Sequence, residues 1–278
     1  MAKDWSRYWR APGLPLEAMY AHFETTVYHR HSHEGYSFGV TEDGAQSFRC
    51  RGAGHTSAAG MVMAFNPDDP HDGYPATESG FTYRIVHIGT GLVALVLADI
   101  SGGAAGLPLF AEPVHADPAL SAAIGALHRG LADGATALHR DELLTAAVGA
   151  MAGRAAATPV RGTGSGPASA ARSARRAHDL LLEAPLADIS ATQLAAAAGC
   201  SRFALHRSFV AAYGMTPAGY QRQIRLRTAR RLIAAGCPIS AAAARAGFAD
   251  QAHLTRWFVR HYAITPGAYR RAAALAAN

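Results

Sequence analysis

Histidine side chains can bind metal ions, and several histidines in the N-terminal part of the chain have a spacing that could bring them together. His29, His31 and His33 are separated by two residues, so on a β-strand they would share one face. His71 follows in a cluster of turn-forming residues. Three imidazoles can hold zinc, and neutral imidazole also suits several other metals. The alternative is that these rings form hydrogen bonds within a folded domain and shape the mouth of a pocket.

A second chemical pattern is a basic sequence that occurs twice near the C-terminal end. Residues 199–220 and 247–269 are nearly the same, apart from one extra residue near the start of the second copy. Arg207 in the first copy matches Arg256 in the second. An arginine side chain can donate two hydrogen bonds to O6 and N7 of a guanine base. The repeat therefore indicates DNA recognition, whereas the alternative is a solvated helix surface.

The charge distribution supports a polyanion-binding module in the C-terminal part. The formal net charge of the chain is +6. Residues 1–170 hold 11 Lys and Arg against 16 Asp and Glu, whereas residues 171–278 hold 15 arginines against 4 acidic residues. A division of this kind is typical of a nucleic-acid-binding region joined to a second domain. Charge alone does not decide between nucleic acid and a solvated basic surface.

Each copy of the repeat reads as two short helices joined by a tight turn. In the first copy, the pattern predicts a helix over about 191–198, a turn at Gly199, and a second helix from Ser201 to about Tyr213. This is a helix-turn-helix, whose second helix enters the major groove with its N-terminal half. The positions predicted to face DNA are Arg202, Phe203, His206 and Arg207 in the first copy, and Gln251, His253, Thr255 and Arg256 in the second. For Phe203, His206 and His253 the alternative is a role in helix packing.

A longer helix should connect the two copies. Thr216 is a capping residue, Pro217 suits the first helical position, and Gly236 with Pro238 ends the helix. About 19 residues make a helix roughly 28 Å long. Successive major-groove segments recur about every 34 Å along one side of DNA. The duplication therefore predicts two recognition helices on a rigid connection, so that one chain reads two groove segments.

The N-terminal part has the alternating pattern of β-strands over residues 20–90. Residues 36–40 and 45–50 flank Asp43-Gly44, which predicts a hairpin turn. Short strands at this spacing predict an antiparallel sandwich or barrel. Residues 91–100 fit either a strand or a helix, and residues 118–157 predict two short helices.

These patterns divide the chain into a sensor or dimerisation domain, a linker and a DNA-binding domain. Residues 158–170 are rich in Gly, Ser and Pro, so we expect a flexible linker between domains at 1–157 and 171–278. No apolar run approaches the roughly 20 residues that span a bilayer, and no apolar signal segment opens the chain. Three cysteines (Cys50, Cys200 and Cys237) form neither a disulfide framework nor a CxxC pair. We therefore expect a cytoplasmic protein without membrane contact.

The C-terminal hundred residues resemble the DNA-binding domain of the AraC/XylS family of transcription regulators. The resemblance lies in "LAAAAGCSRFALHRSFVAAYGMTPAGYQRQIRLRTARRLI" and "ISAAAARAGFADQAHLTRWFVRHYAITPGAYRR". It implies that Phe203, His206 and Arg207 read DNA in the first unit, with Gln251, His253, Thr255 and Arg256 in the second. Cys200 stands where the second copy has Phe248, and the short helix before Gly247 has few bulky residues. The second unit is therefore expected to bind DNA less tightly.

The N-terminal part resembles the cupin-like sensor domain of the same family. The resemblance lies in "YHRHSHEGYSFGVTEDGAQSFRCRG" and "AAGMVMAFNPDDPHDGYP". It implies a small-molecule pocket inside a barrel. The expected effector-binding residues are His31, His33, Tyr36, Phe38, His71 and Tyr83, with Phe48 and His87 as further candidates.

The same resemblance bears on metal binding. Cupin metal sites combine an HxH pair, a glutamate four or five residues later and a third histidine. Here His31, His33 and His71 match the histidines, but Ser37 and Phe38 stand where the glutamate would be. We therefore expect no metal and no cofactor, and any metal would be held by these three histidines.

The fold class expected is a two-domain α+β protein, with an N-terminal antiparallel cupin-like β-barrel followed by helices and a C-terminal all-α double helix-turn-helix. The function expected is sequence-specific transcription regulation controlled by a small-molecule effector, without enzymatic activity. The expected partners are double-stranded DNA, the effector and a second copy of the chain, with RNA polymerase as a candidate. The alternative is a metal-dependent cupin enzyme with a nucleic-acid-binding tail, which the missing glutamate disfavours.

Overall fold

The computed structural model describes residues 4–103, 106–157, 167–262 and 264–275. The chain divides into two compact units. One comprises Met1–Ala135 with Arg140–Gly164, and the other comprises Thr136–His139 with Ser165–Asn278. Within the described ranges, no helix is both long and apolar enough to cross a membrane.

The first unit is an antiparallel β-structure followed by helices. Its strands are β1 (Trp5–Arg10), β2 (Leu16–Phe23), β3 (Tyr28–His31), β4 (Tyr36–Cys50), β5 (Ala53–Ala58), β6 (Val62–Phe65), β7 (His71–Pro75), β8 (Phe81–Ile88) and β9 (Val114–His115). Six of them pair in the order β1-β2-β8-β4-β6-β9, while β3 pairs with β7, and both β7 and β5 pair with β4. The long strand β4 therefore belongs to both sides of the structure. The expected antiparallel cupin-like architecture is confirmed, although among the described residues the sheet does not close into a complete ring.

The predicted hairpin at Asp43 and Gly44 is wrong, because β4 continues through both residues. The register of β4 against β8 shifts between Thr41 and Asp43, which marks a β-bulge. Gly44 has φ +67°, and a Cβ atom there would lie 2.1 Å from a backbone carbonyl oxygen, so only glycine fits. The chain reverses instead at Arg51 and Gly52, whose φ angles of 52° and 84° are those of a two-residue type I′ turn.

Three helices accompany the strands: α1 (Thr90–Ser101) lies between β8 and β9, and α2 (Pro118–Ala132) and α3 (Ala137–Arg154) follow β9. Residues 91–100 are thus helical, with Leu92, Val93, Val96, Leu97 and Ile100 buried at helical spacing. The two helices predicted within residues 118–157 are confirmed as α2 and α3. Asp117 caps α2 by accepting hydrogen bonds from two backbone N–H groups of the first turn.

Seven helices make up most of the second unit. They are α4 (Pro167–Glu183), α5 (Ala191–Ala198), α6 (Arg202–Tyr213), α7 (Pro217–Ala234), α8 (Ile239–Arg245), α9 (Gln251–Tyr262) and α10 (Pro266–Leu275). Of the predicted linker, residues 158–166 lie outside the described residues. Residues 167–170 form the start of α4, so this part of the linker prediction is wrong.

The first predicted helix-turn-helix is confirmed as α5 and α6. Ser190 and Gln193 form a capping box at the start of α5, and Gly199 ends it with φ +71°. Ser201 caps α6 by accepting a hydrogen bond from the Ala204 N–H. Each element boundary is therefore set by side chains within a few residues of it.

The second copy repeats this arrangement in α8 and α9. Gly247 forms the turn with φ +77°, and the Asp250 carboxylate accepts a hydrogen bond from the His253 N–H at 2.6 Å. Each unit has its own apolar core, with Leu205 and Phe209 buried in the first and Leu254 and Phe258 in the second. The connecting helix α7 contributes Ala218 to the first core, and Leu226, Ala229 and Ile233 to the second.

Candidate nucleic-acid interface and barrel cavity

From here on, the first and second units are the two helix-turn-helix units, α5 with α6 and α8 with α9. The second helix of the first unit, α6, places its predicted DNA-facing residues on the side away from the core of that unit. Arg207 is exposed, while Arg202, Phe203 and His206 are partly exposed. The Arg207 guanidinium carbon lies 4.7 Å from the centre of the Phe203 ring, within cation–π range. Stacking on this ring limits the conformations of the arginine, so its donor groups are held near the start of the recognition helix.

The corresponding helix of the second unit, α9, exposes a different set. Gln251 and Arg256 are exposed and Thr255 is partly exposed, as a DNA-facing role requires. His253 is only 7% exposed, and its Nε2 accepts a hydrogen bond from Trp257 Nε1 at 3.0 Å. The prediction that His253 reads a base is therefore wrong, because the ring belongs to the core of the unit.

A sequence signal for the buried histidine was present. His253 and Trp257 are four residues apart, so their side chains meet on one helix face. The equivalent residues of the first copy are the small Ala204 and Ser208, aligned on Leu205 and Leu254. The second unit thus has a hydrogen-bonded aromatic pair at two positions where the first unit has small side chains.

Arg225 on α7 is a buried arginine whose contacts the sequence analysis did not predict. It is 5% exposed, and its guanidinium donates hydrogen bonds to the backbone carbonyls of Pro185, Leu186, Ala187 and Gly247 at 2.9–3.3 Å. Burial lowers the pKa of Arg225 from its ordinary value. One side chain therefore joins the segment before the first unit to the turn of the second.

Two further arginines of α7 pack against aromatic rings of the second unit. The Arg222 guanidinium carbon lies 3.7 Å from the centre of the Trp257 ring, and Arg230 lies over Tyr262 and Tyr269 at 5.3 and 5.4 Å. Arg222 and Arg230 therefore help to hold α9 and α10 against α7.

The N-terminal β-structure, β1 to β9, contains a cavity of about 80 Å³ between its strands. Four of the six predicted effector-binding residues line it: His31, His33, His71 and Tyr83. The further candidates Phe48 and His87 also line it. Its other walls are Tyr8, Met19, Tyr28, Gln46, Met63, Phe65, Asp72, Gly73 and Ile85.

Tyr36 and Phe38, the other two predicted effector-binding residues, face away from this cavity. Both rings pack on Phe110, with centroid distances of 5.8 and 5.3 Å. Ser37 between them points inward, and its Oγ lies 2.8 Å from His87 Nδ1. Residues on a strand alternate between its faces, and the bulge at Thr41–Asp43 reverses that alternation, which brings Phe48 inward.

Three of the four histidines singled out in the sequence lie close together in the cavity, whereas His29 lies outside it. His29 is exposed, because the pairing of β3 with β7 is irregular between Tyr28 and His31. One ring nitrogen from each of His31, His33 and His71 lies within 4.8 Å of the corresponding nitrogens of the other two. The structure therefore brings the three predicted metal-binding candidates into one cluster and leaves His29 out.

Burial keeps several of these rings uncharged. Burial and the neighbouring His87, His71 and His31 lower the pKa of His33 to about 3. Burial also lowers the pKa of His71 and that of His87. These imidazoles are neutral at pH 7, so each retains a nitrogen lone pair.

Comparison with protein families matches both units. The model described as an AraC-like ligand binding domain matches residues 13–148, and a helix-turn-helix domain model matches residues 194–272. The chain is 25% identical over 243 residues to an uncharacterized HTH-type transcriptional regulator, YbfI, of Bacillus subtilis, with 87% of each chain covered. It is 42% identical over 78 residues to the regulatory protein ada of Salmonella typhimurium, covering 28% of this chain and 22% of that protein.

Among solved structures, the chain is similar to a cupin 2 conserved barrel domain protein from Leptotrichia buccalis. The identity is 17%, the TM-score is 0.28, and the match covers 31% of this chain and 41% of the other. A likeness of this extent says nothing about activity.

Proposed function

We propose that the protein is a DNA-binding transcription regulator of the AraC type, whose helices α6 and α9 read two neighbouring major-groove segments under the control of a small molecule in the barrel cavity. The observation that carries the proposal is the exposure of Arg207 and Arg256 at equivalent positions of the two units. Each could bind a guanine through two hydrogen bonds. The proposed DNA-reading residues are Arg202, His206, Arg207, Gln251, Thr255 and Arg256, and Phe203 would take part by supporting Arg207.

Helix α7 would set the separation of the two contacts. Its 18 residues span about 27 Å, which is compatible with groove segments that recur about every 34 Å. Because the two units differ in sequence, one chain would recognise a site without two-fold symmetry.

The effector would be compact. A cavity of about 80 Å³ has room for on the order of half a dozen water-sized groups. Its walls are mainly aromatic and apolar, and the hydroxyls of Tyr28 and Tyr83 lie 3.2 Å apart. These hydroxyls and the histidines would orient a polar group of the effector, while the aromatic rings cover its apolar part.

We infer further that the protein acts as a regulator and not as an enzyme. Ser37 stands in place of the glutamate of cupin metal enzymes, and its hydroxyl is hydrogen-bonded to His87.

The protein would act in the cytoplasm, on the chromosome, as a homodimer joined through α2 and α3. RNA polymerase would be the partner in activation. The domains would be residues 1–157 and 171–278, although residues 136–139 group with the C-terminal compact unit.

The test is selection of a binding site from random duplexes with the full-length protein, followed by affinity measurements. We expect Arg207→Ala and Arg256→Ala each to weaken specific binding by about 1–3 kcal/mol and to relax base preference at a different segment of the site. Arg49→Ala removes an exposed arginine on β4, far along the chain from the helix-turn-helix units, and serves as the charge-matched control. If both recognition-helix variants select the same site with unchanged affinity, α6 and α9 do not read DNA as proposed.

A further inference from the structure

Helix α4 bears the same relation to the first unit as α7 bears to the second. His178 on α4 stacks on the Tyr213 ring at a centroid distance of 4.6 Å, and its Nε2 lies 2.8 Å from the Tyr220 hydroxyl oxygen. Arg230 on α7 packs on the two matching tyrosines of the second copy. The repeat therefore extends to three helices, because each unit has a preceding helix that packs against it in the same way.

Both of these preceding helices send an arginine to the glycine turn of the unit that follows. Arg176 Nη1 on α4 lies 3.4 Å from the position that a Cβ atom would take on Gly199. Arg225 Nε on α7 lies 3.1 Å from the corresponding position on Gly247. Each turn leads into a recognition helix, α6 or α9. Each unit therefore has one guanidinium beside the end of the helix that is proposed to enter the groove.

The two arginines differ in what their donor groups bind. Arg225 is buried and donates hydrogen bonds to four backbone carbonyls, so its charge serves the fold. Arg176 is exposed, and no hydrogen bond or ion pair within the described ranges involves it. A guanidinium presents five N–H donors in a planar fork that matches the oxygens of a phosphate group. Arg176 therefore keeps these donors for a group outside the chain.

Arg172 extends this basic surface by one helical turn. It is exposed, and it lies four residues before Arg176, so the two side chains share one side of α4. Among the described residues, Arg172 likewise forms no hydrogen bond or ion pair. The acidic residues of α4, Asp179 and Glu183, both follow Arg176. Two cations about 6 Å apart along a helix suit the closely spaced negative charges of a phosphate backbone.

We propose that Arg176 and Arg172 bind the phosphate backbone of DNA beside the major-groove segment that α6 reads. The proposal rests on the proposed function, and it adds a third element, α4, to the DNA-binding surface. Phosphate contacts fix the register of a protein on the duplex but carry no sequence information. These two arginines would hold the N-terminal end of α6 in the groove, while Arg202, His206 and Arg207 contact the bases.

The salt dependence of binding to the selected duplex tests this contact in the full-length protein. Each neutralised phosphate contributes about 0.9 to the slope of log affinity against log salt concentration. Arg176→Ala should reduce the slope by about that amount, and a further Arg172→Ala should reduce it by as much again. The loss of affinity for Arg176→Ala should be about tenfold at 50 mM salt and about threefold at 200 mM, on selected and random duplexes alike. Arg176→Lys keeps the charge and should retain most of the wild-type slope.

Arg175→Ala is the matched control, because Arg175 is an exposed arginine of the same helix. Its charge acts on the other end of α6, at the last residue, Tyr213. Burial raises the pKa of Tyr213, the Asp179 carboxylate raises it further, and the Arg175 guanidinium lowers it. We expect Arg175→Ala to reduce the slope by less than half as much as Arg176→Ala, since only a long-range attraction is lost.

Duplexes with a single uncharged methylphosphonate linkage locate the contact. Beside the segment where Arg207→Ala relaxes base preference, one or two such linkages should weaken binding of the wild type. The same linkages should have little further effect on Arg176→Ala, because both changes remove one ion pair.

Three results would overturn the inference: an unchanged slope for Arg176→Ala, an equal reduction for Arg175→Ala, or linkages that weaken the wild type and Arg176→Ala equally. Arg207→Ala and Arg256→Ala test the groove contacts on the same duplex, so each of these results leaves the proposed function standing. A protein that selects no duplex would overturn both.

Discussion

The two helix-turn-helix units have the same backbone arrangement but use their surface positions differently. Both bury a leucine and a phenylalanine four residues apart, Leu205 with Phe209 and Leu254 with Phe258. In the first unit Phe203 remains partly exposed and supports Arg207. In the second, the aromatic ring of Trp257 lies between His253 and an arginine of α7. The repeat therefore keeps the core that makes the fold, while the remaining positions assign each unit a different task.

This difference suggests how the work of recognition is divided. The first unit presents an arginine that is already stacked and oriented toward solvent. The second unit is fastened to α7 by Arg222, Arg225 and Arg230, so its position relative to the connecting helix is fixed. We expect the first unit to contribute more base discrimination, and the second to fix the spacing between the two contacts.

The largest effects should come from the part that the two units share. Phe209→Ala and Phe258→Ala each remove a fully buried ring, and we expect each to lower the free energy of unfolding by about 3–5 kcal/mol. Urea unfolding, with hydrogen exchange of α6 and α9 to localise the damage, measures this. The next residues in each copy, Val210 and Val259, are 36% and 39% exposed, so Val210→Ala and Val259→Ala are matched controls with small effects. A large loss for one phenylalanine only would mean that the two cores are not equivalent.

Removal of Arg225 should release the second unit from its place. Arg225→Met leaves four carbonyl groups without their charged donor, which should cost about 2–4 kcal/mol of stability. Hydrogen exchange should rise at Leu186, Ala187 and near Gly247, and affinity for the two-segment site should fall more than affinity for either segment alone. Arg227→Met, an exposed arginine of the same helix, is the control. Unchanged exchange at Gly247 would show that Arg225 does not position the second unit.

Substitution of the buried His253 should show whether this residue acts in helix packing or in DNA recognition. His253→Ala leaves the Trp257 N–H without its acceptor, and we expect a loss of about 1–2 kcal/mol in stability with no change in base preference. His206→Ala on the exposed side of α6 should do the reverse, altering base preference with little effect on stability. Thermal unfolding and site selection on both variants decide the matter. A changed base preference for His253→Ala would return this residue to the DNA surface.

The helical unit is predictable from sequence because its boundaries are local. Ser190, Gly199, Ser201 and Thr216 each set a helix end through a contact within three or four residues, or through a positive φ angle. Buried leucine and phenylalanine at helical spacing fix the inner face. What the local pattern lacks is the partner of a polar side chain. Arg225 is buried only because carbonyl groups about 40 residues away face it.

The barrel was harder to predict from the sequence than the helical units, because its geometry depends on pairing between distant strands. The strand-rich region was predictable, but the continuation of β4 through Asp43 and Gly44 was not. The facing of β4 was not predictable either, because one extra residue at the bulge reverses the alternation for the rest of the strand. That bulge depends on pairing with β8, about 40 residues later in the chain. The histidine cluster could be predicted because an HxH spacing and a later histidine suffice for it. The outward placement of Tyr36 and Phe38 could not.

The smallest and most discriminating change is an exchange of one aromatic residue between the units. Phe203 matches Ala252 in the second copy, so Phe203→Ala gives the first unit the composition of the second, and Ala252→Phe does the reverse. We expect Phe203→Ala to weaken specific DNA binding by about 0.5–1 kcal/mol through loss of the stacking that orients Arg207. In the Arg207→Ala background the same change should have almost no further effect, because the two residues act through one interaction. Fluorescence anisotropy on the selected duplex completes this double-mutant cycle. If the two losses simply add, Phe203 contacts DNA by itself, and the contrast between the units lies in direct contacts rather than in the support of an arginine.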